Sequence, residues 1–90
     1  MGEIIRRATA GTLESSDVFV SLEPNASGLE IEIDSVVLGQ FGEAIRKVVE
    51  DVLSEQEVRS AKLSIVDRGA LDCVIRARVE TAVLRGKGVC

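Results

Sequence analysis

Residues 28–34 read Gly-Leu-Glu-Ile-Glu-Ile-Asp, an unbroken alternation of apolar and acidic side chains, and from Val37 onward the period changes. Alternation puts Leu29, Ile31 and Ile33 on one face and Glu30, Glu32 and Asp34 on the other, which an extended strand does and a helix does not. After it, Val37, Phe41, Ala44, Ile45, Val48, Val49, Val52 and Leu53 recur at helical spacing, with Glu43, Arg46, Lys47, Glu50 and Asp51 on the opposite side. A one-faced strand followed at once by a one-faced helix has to bury the two apolar faces against each other. The strand is expected to belong to an antiparallel sheet with one wet face, and Asp34 or Ser35 to cap the helix.

The flanking segments extend this pattern. Thr9 to Leu13 and Val18 to Leu22 read as two strands around Glu14-Ser15-Ser16-Asp17, a hairpin turn, with Val18, Val20 and Leu22 alternating against Phe19 and Ser21. Ala61 to Val66 reads as a fourth strand, closed by the turn residues Asp67-Arg68-Gly69. The last segment is ambiguous locally, because Cys73, Ile75, Ala77 and Val79 alternate while Leu71, Val74, Ile75, Val79, Ala82 and Val83 fit a helix. The helical set runs for more than three turns and predicts a helix. The order β-β-β-α-β-α therefore predicts an α+β fold, a two-layer sandwich with two helices on one face of a four-stranded, largely antiparallel sheet. Ninety residues with 46% hydrophobic content suit a single domain over residues 1–90 with a small core. Ile31, Ile45 and Val48 are expected in that core, with Cys73 as a buried small apolar residue and Arg76 and Arg78 on a solvated helix face.

Composition removes most chemistry. Fifteen acidic against 11 basic residues give a net charge of -4, which opposes phosphate backbones, and two aromatics are too few for base stacking, so no nucleic-acid partner is expected. Glu3, Arg6 and Arg7 interrupt any apolar run at the start, and no stretch approaches a membrane span, so a cytoplasmic protein with no membrane partner is expected. Two cysteines and no histidine make a zinc site implausible and read as reduced thiols. No histidine is present to activate Ser15 or Ser16, and carboxylates at an exposed turn are expected to keep their ordinary acidity and serve poorly as bases. The glycines form no phosphate-cradling motif. No catalytic residue and no metal ligand is assigned. What remains is a pair of hydroxyls at a hairpin tip, either plain turn residues or a place where a group is attached.

Three blocks, AGTLESSD, QFGEAIRKVVEDVL and DRGALDCVIRARVETAVLR, closely resemble the acyl carrier (gamma) subunit family of citrate lyase, in the family's order and from about Ala10 to Arg85. The resemblance implies that Ser15, the serine of the LES segment, carries a covalently attached 2′-(5″-phosphoribosyl)-3′-dephospho-coenzyme A through a phosphodiester. Ser16, standing where some relatives have glycine, is the rival position. It further implies a non-catalytic carrier that presents acetyl and citryl thioesters to a transferase (alpha) and a lyase (beta) subunit after a separate prosthetic-group transferase has loaded it. Carriers of citramalate lyase and malonate decarboxylase, and an unmodified small acidic interaction domain, stand as alternatives. Helical acyl carrier proteins are disfavoured, since the DSL serine motif is missing.

Overall fold

The computed structural model describes residues 3–36 and 38–88, with the side chains of residues 38–41 excepted. The elements follow the expected order: β1 (Ala8–Gly11), β2 (Val18–Glu23), β3 (Leu29–Ser35), α1 (Leu38–Glu55), β4 (Ala61–Asp67) and α2 (Asp72–Lys87). The spatial order is β1-β2-β4-β3. β1 and β2 form the antiparallel hairpin and β2 pairs antiparallel with β4, but β3 lies parallel to β4, from Leu29 opposite Ala61 to Ser35 opposite Asp67.

The sheet is therefore mixed, and β3 is not the antiparallel strand that its alternation suggested. The cause is the connection. An 18-residue helix spans about 27 Å and returns the chain to the end of the sheet where β3 began, so β4 runs beside β3 in the same direction. Asp34 and Ser35 are the last residues of β3 rather than helix caps. Val37 lies outside the described residues, as does the side chain of Phe41.

Both helices cover one face. Val18, Val20 and Leu22 of β2 and Leu63 and Ile65 of β4 point at Val49, Val52 and Leu53 of α1 and at Ile75, Val79 and Val83 of α2, and all are buried. Each fully buried aliphatic side chain contributes about 1.5 to 3 kcal/mol of transfer free energy. α2 packs over β1 and β2, and α1 covers β3 and leans on α2. At the sheet edge under α1 alone, Ile31 and Ile33 are half-buried and Leu29 is exposed. Of the three expected core residues Ile45 is buried, whereas Ile31 and Val48 sit at the margin of the core. Cys73 is exposed, not buried. It stands two residues before Ile75, about 200° around the helix from the buried stripe. No described helix is long and apolar enough to cross a membrane.

Candidate functional site

The hairpin tip between β1 and β2 is built on a glycine. Gly11 ends β1 with φ +90, and a Cβ there would stand 1.9 Å from the Val18 carbonyl oxygen, so the two strands approach more closely than any side chain permits. Thr12 then opens the turn. Its hydroxyl donates to Asp17 Oδ2 at 2.7 Å and accepts from the Glu14 amide at 3.2 Å. The turn closes where the Asp17 amide donates to the Glu14 carbonyl at 3.1 Å. Ser15 and Ser16 are its two central residues, and only the second has a positive φ, of 66, the pattern of a type II turn. Both serines are exposed. Among the described residues neither hydroxyl makes a hydrogen bond.

The tip is held from behind by residues distant in sequence. The Ser16 amide donates to the Arg68 carbonyl at 2.8 Å and the Arg68 amide to the Asp17 carbonyl at 2.9 Å, which prolongs the β2–β4 ladder past its last strand pair, Val18 opposite Asp67. The turn carrying Arg68 is itself fixed by the buried Asp67, which accepts from Ser35 Oγ at 2.7 Å and from the Ala70 amide at 2.9 Å. From α2, Arg78 reaches across and donates through Nε and Nη2 to the two carboxylate oxygens of Asp17, both at 3.1 Å, in a forked pair. Asp17 also accepts from its neighbour, the Val18 amide, at 2.7 Å.

These donors change the character of the tetrapeptide. The Thr12 hydroxyl foremost, then the Val18 amide and Arg78, stabilise the charged form of Asp17 and lower its pKa to about 2, in place of the ordinary acidity expected of a turn carboxylate. So weak a base cannot activate either neighbouring serine. The geometry makes Asp17 the clamp of the turn, with its charge offset by Arg78, and leaves Glu14 as the exposed carboxylate beside the serines. Arg78 likewise belongs to the site and not to a solvated face, while Arg76 pairs with Glu55 and with Glu80 on the same helix. Neither Arg68 nor Arg78 is legible as a site residue from spacing, because Arg78 lies 61 positions from its partner. Phe19, half-buried on the open face of the sheet, has Gly11 and Val66 as its cross-strand neighbours. A surface depression lined by Ile4, Asn25, Arg59 and Lys87 lies at the opposite end of the sheet and forms no part of this site.

The comparisons with known proteins agree on the kind of molecule this is. Residues 5–86 match the family model "ACP: Malonate decarboxylase delta subunit (MdcD)". The citrate lyase acyl carrier protein of Latilactobacillus sakei subsp. sakei is 50% identical over 86 residues, covering 96% of this chain and 85% of that one. The citrate lyase acyl carrier protein of Vibrio cholerae serotype O1 is 56% identical over 84 residues, covering 92% and 86%. Among solved structures, a chain in the crystal structure of a Pseudomonas malonate decarboxylase hetero-tetramer in complex with malonate superposes with a TM-score of 0.80 at 28% identity, over 91% of this chain and 84% of that one. With the matched blocks falling on the hairpin tip, α1 and the β4–α2 segment, the chain belongs to the acyl carrier protein family of the malonate decarboxylase delta subunit and the citrate lyase acyl carrier proteins, and is a non-catalytic carrier.

Proposed function

We propose that this chain is the acyl carrier subunit of citrate lyase, with Ser15 as the residue that bears the phosphoribosyl dephospho-coenzyme A arm. The observation that carries the assignment is the tip itself: an exposed serine at the summit of a turn whose shape is held by Thr12, Asp17 and backbone amides and not by the serine's own hydroxyl. The fit is that of a handle and not of an active site. The Ser15 hydroxyl is accessible to a loading enzyme, and the clamped carboxylate of Asp17 is too weakly basic to deprotonate it, which fits a base supplied by that enzyme. When attached, the arm supplies a terminal thiol that carries acetyl or citryl groups as thioesters. The chain's own part is to keep the attachment point rigid, outward-facing and chemically inert. Its partners in this role are the prosthetic-group transferase and the transferase and lyase subunits of the complex, working in the cytoplasm.

The test is intact mass of the protein purified from its native host grown on citrate, followed by peptide mapping. A mass increase equal to the arm, located on Ser15 and abolished in Ser15→Ala, is the expected result. That variant should fold normally, within about 0.5 kcal/mol of wild type, as an exposed turn residue. An arm on Ser16, or an unmodified chain, refutes the assignment. The family model and the Pseudomonas structure favour a second reading, the carrier of a malonate decarboxylase. The 50 to 56% identity to citrate lyase carriers, against 28% to that chain, supports the first, and the enzymes that co-purify with the protein distinguish the two.

A further inference from the structure

We propose that Arg78 is a positioning residue for the loading of Ser15, and that the loading enzyme reads a folded surface assembled from the hairpin tip, the β4–α2 turn and α2 rather than the linear sequence around the serine. This rests on Ser15 being the attachment point. Asp17 accepts from four donors: Thr12 Oγ1 where the turn is entered, the Val18 amide where it is left, and two nitrogens of Arg78 from outside it. The first two are local and close the hairpin unaided. Among the described residues only the Arg78 fork hydrogen-bonds the turn to α2, and its aliphatic stem lies over Gly11, with Cδ 3.3 Å from where a Cβ would stand. Removing the guanidinium therefore leaves a hairpin that still closes and keeps its backbone bonds to Arg68 but has lost its side-chain tie to the helix. Lysine restores the charge but not the fork, because an ammonium is a point donor.

The experiment uses full-length apo-carrier, its cognate prosthetic-group transferase and the arm precursor, with initial rates measured against carrier concentration. Arg78→Met keeps the stem and deletes the charge. It is expected to lower kcat/KM for the carrier by roughly tenfold, mainly through KM, as loss of a binding surface that is used equally before and in the transition state does, with Arg78→Lys in between. Faster amide exchange at Ser16 should accompany the loss. Val83→Ala, a core change toward the other end of the same helix, where Gly86 stands against Leu22, controls for lost stability and should load at the wild-type rate. Wild-type loading of Arg78→Met, an equal loss in Val83→Ala, or efficient loading of a peptide spanning residues 8–23 each overturns the proposal while Ser15 stands. Arm mapped to a residue other than Ser15 in the wild type overturns both.

Discussion

Ser16 is the residue whose backbone works hardest at the tip, and replacing it measures that cost. An L-residue in the left-handed region is strained by about 1 to 2 kcal/mol, whereas glycine adopts it freely. Ser16 has φ 66, its side chain is exposed, and its amide is committed to the Arg68 carbonyl, so the conformation is imposed by the surroundings. In Ser16→Gly the strain disappears, offset by the greater freedom of glycine in the unfolded chain, about 0.5 to 1 kcal/mol. The net expectation is a stabilisation of roughly 0.5 to 1 kcal/mol, or about 2 to 8 °C in Tm for a domain of this size. Ser16→Ala keeps a Cβ at the same backbone angle and should gain nothing. Thermal and urea unfolding of the three proteins, with arm loading as a parallel readout, checks this: Ser16→Gly should be the most stable and should still load on Ser15. Equal stability of the glycine and alanine variants, or a destabilised glycine variant, would show that the turn relaxes readily and that Ser16 carries no strain.

Gly11→Ala should cost at least about 2 kcal/mol in urea unfolding, since the new Cβ meets backbone 1.9 Å away and the positive φ remains. Leu63→Ala should cost about 3 to 5 kcal/mol at the buried centre of the sheet, Ile31→Ala under about 2 at its half-buried edge, and Glu32→Ala nearly nothing, within about 0.5. The lowered pKa of Asp17 predicts an acid dependence of fixed sign. Its folded-state value, about 2, lies below the unfolded one, so its contribution to stability is complete above about pH 4 and fades as the pH falls toward 2. The stability difference between wild type and Asp17→Asn should therefore shrink over that interval in acid-titrated unfolding, and a difference constant across it would mean that the clamp does not depend on the charge.

Element order and the choice of a helix for the last segment were readable because strand and helix periods differ and the apolar set of α2 persists from Ile75 to Val83. The parallel placement of β3 was not, because alternation is the same on either kind of neighbour. The informative signal was the helix lying between two consecutive strands, which requires a crossover. Cys73 was misplaced because composition says nothing of angle: measured around α2 from Ile75, it points to solvent. At the tip, Ser15 is marked by the blocks shared with a family, but its supports are not. Arg68 contributes only backbone atoms, and so leaves no trace in residue type, while Arg78 is one of several arginines on α2 and becomes distinctive only when folding brings it to Asp17.

That distance along the chain has a consequence for biosynthesis. The ribosome delivers Ser15 first, and Arg78, 61 residues beyond Asp17, follows about 3 to 12 s later at ordinary elongation rates. For most of that interval β4 has yet to enter between β2 and β3 and the turn lacks the carbonyl that Ser16 grips, and to its end the turn lacks the guanidinium that Asp17 holds. A nascent or truncated carrier thus exposes the serine without the surface that accompanies it in the finished protein. The strand order and the reach of α2 together delay completion of the hairpin tip's surroundings until almost the whole chain has been made.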